Sequence, residues 1–162
     1  MPYTANLIAY AFVKKGIEEG RPVTQMKLQK MVYFAHGVHL ASFSRPLIQE
    51  DFEAWQFGPV IPSIYQEYKT FGSQPINIKQ EYLDKQLGNL DHNAITVIDY
   101  TWNTTKNLSA STLSSWTHKQ GSPWDKYYVP GAFNIQIDNI AIQSYFTNLL
   151  ELANNEQRQP AE

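Results

Sequence analysis

His36 and His39 stand three residues apart in a helical stretch, close enough on one surface to share a metal ion. No carboxylate pattern completes such a site. A di-iron bundle needs two Glu-x-x-His motifs and two further Glu residues, and this chain has neither. Histidines held in a core or an interface fit the pattern better, so no metal ligand is assigned. Ser114 and His118 stand four apart, the spacing of a nucleophile and its base on one helix. No Gly-x-Ser-x-Gly elbow surrounds Ser114, and a single helix face offers no oxyanion hole. Hydrogen bonding at a helix end accounts for both residues, since a His near a helix C-terminus favours the dipole. Glu53 lies beside Trp55, and with Lys30 nearby it would form a buried ion pair that seats residues 52–57 on the preceding helix. The expectation is a chain with no catalytic residue, no cofactor and no enzymatic activity. The rival is a small metal-dependent enzyme built on His36, His39 and His118.

Aromatic rings are the other chemistry. Trp116, Trp124, Tyr127 and Tyr128 fall in one short stretch with Gly121, Pro123, Pro130 and Gly131. Large rings beside loops are typical interface anchors, which makes these residues candidate partner-binding groups. The alternative is a satellite hydrophobic cluster that closes the core.

These groups have to be positioned by a mainly α single domain. Thr24 is placed to cap a helix running to about Ser44, with Leu28, Met31, Val32, Ala35 and Val38 at helical spacing. Its second half is apolar on more than one face, the mark of a helix buried among others. It is read as the central helix, with Met31, Ala35 and Val38 almost fully buried. Lys30, His36 and His39 interrupt it, so it does not read as a bilayer span. Thr4 caps a first helix that ends at Gly20. Leu47 to Phe57 reads as irregular or briefly extended. Pro59 suits the first turn of a helix carrying Ile61, Ile64, Tyr65, Tyr68 and Phe71. A weak helix covers Glu81 to Leu87. Asp91 caps a helix with Ile95, Ile98 and Trp102 on one side, stapled by Leu90 and Ile95. Ser109 or Ser111 opens another, Ser122 starts a further turn, and Asp138 caps the last. Residues 75–78 and 133–137 alternate and are expected to be short strands that pair with each other. The domain is expected over residues 1–153, followed by a polar, frayed tail over 154–162.

Composition narrows the class. The 162 residues are 43% hydrophobic, 14% aromatic and 17% charged, which suits one globular domain. The absence of cysteine excludes a disulfide framework and a thiol nucleophile. The net charge of -2 and the lack of a basic run give no sign of nucleic-acid or membrane binding. Met1-Pro2-Tyr3-Thr4 lacks the basic start of a signal peptide, and a cytoplasmic location is expected.

Motif blocks in order carry a family resemblance. The first is Lys27-Leu28-Gln29-Lys30 followed by Tyr33-Phe34-Ala35-His36-Gly37. The second is Glu53-Ala54-Trp55, then Gly58-Pro59-Val60 and Pro62, with Tyr65 and the run from Tyr68 to Gly72. The third is Leu113-Ser114, Thr117-His118 and Pro123-Trp124. Together they resemble the Panacea domain, the family of SocA-like antitoxins and phage-associated GepA-type proteins. The resemblance implies a mostly helical, non-enzymatic antitoxin of a toxin–antitoxin system, which binds and neutralises a cognate protein toxin. In the family's namesake the antitoxin also delivers its toxin to a protease, so a cellular protease is a second implied partner. The toxin class does not follow, because Panacea domains pair with unrelated toxins. A phage or mobile-element protein with the same fold and another partner is the alternative. The motif residues Leu28, Lys30, Tyr33, His36, Glu53, Trp55, Gly58, Pro59, Tyr65 and His118 are expected to be architectural, and the shared Pro-Trp pair favours a structural Trp124.

Overall fold

The fold grows outward from one helix. In the computed structural model, which describes residues 1–88 and 90–158, helix α2 spans Gln25–Phe43 and is capped by Thr24, whose hydroxyl accepts from the Lys27 amide at 3.3 Å. Around it pack α1 (Ala5–Glu18), α5 (His92–Thr105), α6 (Ala110–Thr117) and α8 (Asn139–Arg158). The shorter helices α3 (Pro62–Tyr68), α4 (Gln80–Gln86) and α7 (Pro123–Tyr127) fill the edges. The caps expected at Thr4, Asp91, Ser109 and Ser122 each accept a backbone N–H of the first turn. Asp138 does the same for α8, taking the Ile140 amide at 2.8 Å.

Leu28, Met31, Val32, Tyr33 and Ala35 of α2 are buried in the core. Val38, expected to be as hidden, is half-buried at the core's edge. Gly37 is what lets α8 approach. A Cβ there would stand 2.3 Å from the ring of Phe146, so only a glycine allows that ring to lie on the helix backbone.

A small sheet flanks the helices. Strand β1 (Phe52–Trp55) pairs antiparallel with β2 (Gly58–Val60) on one side and with β3 (Gln136–Ile137) on the other. Trp55 lies opposite Gly58, Ala54 opposite Pro59, and Phe52 opposite Ile137. Two expectations are corrected here. Pro59 is in an edge strand and starts no helix; a residue without an N–H is tolerated where no partner strand needs one. Pro62 is the proline of the first helical turn. The 133–137 segment pairs with β1 and not with residues 75–78, which form no strand. Ile76 instead buries its side chain and donates its amide to the Val23 carbonyl at 2.7 Å.

The staple between Leu90 and Ile95 does not form a buried contact, because Ile95 is exposed. The face of α5 that meets the core carries Ala94, Val97, Ile98, Thr101 and Trp102. On α8, Ile142 and Phe146 are buried while Leu149 and Ala153 are exposed. The helix continues through residues 154–158, and the remainder of the expected tail lies outside the described residues. Among the described residues no helix is long and apolar enough to cross a membrane.

Candidate functional site

The first turns of α2, the β1–β2 hairpin and α3 enclose a groove of about 700 Å³ that is open to solvent. Met26 comes from α2, Trp55 and Phe57 flank the hairpin turn, and Tyr65 comes from α3. Trp55 and Tyr65 meet edge to face at 5.2 Å. Gln29 fixes the junction of hairpin and α3. Its side-chain oxygen accepts the Ile61 amide at 2.9 Å, and its nitrogen donates to the Ile61 carbonyl at 3.2 Å. This pair of bonds ties α2 to the backbone just before Pro62, so the walls do not slide.

Among the described residues, Lys30 is the only charged one in the lining. It lies one helical turn beyond Met26, so the two share a face of α2. Its side chain is 1% exposed. Gly58 makes room for it: a Cβ at 58 would stand 2.8 Å from Lys30 Cε, 3.0 Å from its Nζ and 3.0 Å from Thr117 Oγ1. Gly58 also has φ +126°, a region that L side chains rarely adopt. The residue is therefore glycine for both space and backbone geometry.

The expected ion pair of Lys30 with Glu53 is not formed. Among the described residues no carboxylate lies within ion-pair distance of the ammonium. Strand alternation puts Glu53 and Trp55 on one face of β1, and the Glu53 carboxylate accepts from Trp55 Nε1 at 3.1 Å. Burial pushes the Lys30 pKa down to about 8. Burial, and then the Lys30 charge, push His118 down as well, with the Phe57 carbonyl acting the other way.

The aromatic candidates occupy other places. Trp124 is buried, stacked between His118 at 3.8 Å and Tyr128 at 4.6 Å, and its Nε1 donates to the Trp55 carbonyl at 2.6 Å. It supports the strand that carries the Trp55 ring. Trp116 is half-buried against Phe34. Tyr127 borders a smaller cavity of about 340 Å³ beside Tyr145, and Tyr128 borders one of about 330 Å³ beside Phe133. None of the four lines the groove.

The histidines do not converge. His36 accepts the Ile48 amide on Nδ1 at 3.4 Å, so its proton sits on Nε2 and is donated to Asn139 Oδ1 at 2.8 Å. Burial holds its pKa down at about 4. His39 donates from Nδ1 to the Arg45 carbonyl at 2.6 Å. Ser114 gives its hydroxyl proton to the Phe57 carbonyl at 3.1 Å. Among the described residues no cluster of three or more His, Asp or Glu side chains could hold a metal.

Of the motif residues, Leu28, Tyr33 and His36 build the core, while Lys30, Trp55 and Tyr65 face the groove and Gly58 makes its room. Met26, Gln29, Phe57 and Val60 also form it, and sequence reasoning assigned them no role. One signal was present: Gln29 and Lys30 are adjacent polar residues on a helix otherwise committed to burial.

A family sequence model described as "Antitoxin SocA-like, Panacea domain" matches residues 28–125. The curated protein "Antitoxin SocA" of Caulobacter vibrioides (strain NA1000 / CB15N) is 33% identical over 129 residues, which cover 75% of this chain and 68% of that protein. No solved structure matches.

Proposed function

The chain belongs to the SocA-like Panacea family, and we propose that it is an antitoxin that holds a cognate protein toxin in the α2–hairpin groove. One observation carries this reading. Residues from motif blocks far apart in the chain, Lys30 and Trp55 with Tyr65, line one open groove, and Gly58 and Thr117 pack behind Lys30. Its walls are mostly apolar, with rings at the rim, as in an anchor pocket that buries a partner's side chains. Neutralisation in this reading is steric: the groove covers the toxin surface that it seats.

Trp124 serves this contact indirectly, by holding the Trp55 backbone. Trp116, Tyr127 and Tyr128, away from the groove, contribute to a secondary contact at most. Delivery of the toxin to a cellular protease, which the resemblance also implies, is a separate step from capture. It would appear as a shortened toxin half-life in cells that make this protein.

The test is co-expression. The reading frame beside this gene should kill cells when expressed alone and be tolerated together with this protein, and the two should co-purify. Killing that persists with the folded protein present, or a harmless neighbour, rejects the reading.

A further inference from the structure

Lys30 is a buried charge that the fold leaves without an acid among the described residues. A buried charge is normally paired, because taking an ammonium out of water costs several kcal/mol in order of magnitude. Here the stem is packed, Gly58 is kept bare to admit it, and among the described residues no acid meets the head group. Methionine or leucine would fill the same space without that cost. A lysine in this place carries an unsatisfied demand for an anion, at the wall of the groove that it lines.

The surroundings decide which anion. Phosphate groups are met by several convergent donors, as at a helix N-terminus or an arginine fork. This groove offers one ammonium between apolar walls, with Met26 on one side and Trp55 and Phe57 on the other. One negative charge framed by hydrocarbon on both sides fits that arrangement. We propose that the toxin segment seated in the groove presents an Asp or Glu side chain to Lys30, flanked by apolar side chains that lie against Met26, Phe57 and Tyr65. This rests on the antitoxin reading above and names the chemistry of the bound segment.

The arrangement gives selectivity as well as attraction. Covering the groove shuts off the little solvent access that Lys30, at 1% exposure, still has. A segment with a carboxylate in register gains an ion pair in a low-dielectric site. A segment without one covers an unpaired cation and is rejected, so the lysine acts against wrong partners.

The test uses Lys30→Met, which keeps the stem and removes the charge. The purified toxin from the neighbouring reading frame is titrated into wild type and variant, and both are melted. The variant should melt no lower than wild type and bind the toxin at least tenfold more weakly. Scanning Asp→Asn and Glu→Gln through the toxin should identify one substitution that weakens binding to wild type equally and adds nothing against Lys30→Met. Unchanged affinity in Lys30→Met overturns the proposal, as does a scan in which no acid couples to Lys30. A marked drop in melting temperature, matched by Lys30→Gln, makes the residue a core element and also overturns it. So does tight binding of octanoate that depends on Lys30 when toxin affinity does not, since the groove then holds a small carboxylate. The antitoxin reading fails separately, if wild type neither rescues cells nor binds the toxin at all.

Discussion

Lys30 and His36 sit on the same helix and are almost equally hidden, at 1% and 0% exposure, yet the chain treats them differently. His36 has a partner for each ring nitrogen, the Asn139 side chain and the Ile48 amide. Among the described residues Lys30 has no acid partner, and it lies in the wall of the open groove. The second half of α2 is thus closed: Gly37 receives the Phe146 ring, His36 bridges to α8, and His39 ties back to Arg45. The first half is closed on one side only, where Gln29 clamps Ile61, and is left open on the other. Burial by itself therefore does not separate structure from function on this helix. What separates these two residues is that the His36 ring nitrogens are both partnered whereas the Lys30 ammonium meets no carboxylate among the described residues.

The halves should fail in different ways. The largest effect is expected from Met31→Asp, at a residue with no exposure. It leaves an unpaired carboxylate in the core and should lower stability by more than about 4 kcal/mol, read as loss of the cooperative urea transition at ambient temperature. A well-folded variant would mean that α2 is not the centre of the core.

Acid should act on the closed half. Burial lowers the folded-state pKa of His36 from 6.5 to about 4, so the unfolded chain binds the proton more readily between those values. Stability is complete above about pH 6.5 and is lost as pH falls towards 4. His36 contributes up to about 3 kcal/mol to that loss, from the size of the shift. Urea midpoints at pH 7 and pH 4.5 should separate accordingly, and in His36→Gln the separation should shrink. An equal acid step in the variant would remove His36 from the account.

Alkali should act on the open half, with a smaller effect. The Lys30 pKa is also lowered, to about 8 from 10.5, so its buried charge costs stability below pH 8 and that cost is relieved as pH rises towards 10. Wild type should therefore gain on Lys30→Met between pH 7 and 9.5 in paired thermal melts. A constant difference across that range would mean that the ammonium is already paired.

The helix caps and the centrality of α2 were legible in the sequence because both are local. Thr4, Thr24, Asp91, Ser109 and Ser122 satisfy amides within three residues of themselves. The pairing of β3 with β1 was not legible, since it joins residues more than eighty positions apart over a strand of two. Pro59 misled because a proline suits both a first helical turn and an edge strand, and only the register with Ala54 decides between them. The Lys30–Glu53 pair misled for a related reason: the nearer Trp55 indole donor on the same strand face takes the carboxylate. The groove was unreadable as a site because its walls come from three elements. The residues and the resemblance both brought Lys30, Trp55, Gly58 and Tyr65 into view, without the geometry that separates them from Leu28 and Tyr33.

The most direct test of the account is the toxin affinity of Phe57→Ser set beside its melting temperature. Phe57 is 59% exposed at the rim of the groove, so its removal should leave the melt nearly unchanged. If the toxin occupies the groove, the affinity should fall by about 2 kcal/mol, as for loss of an interface anchor. A folded Phe57→Ser protein that binds the toxin as tightly as wild type would place the toxin elsewhere and contradict the account.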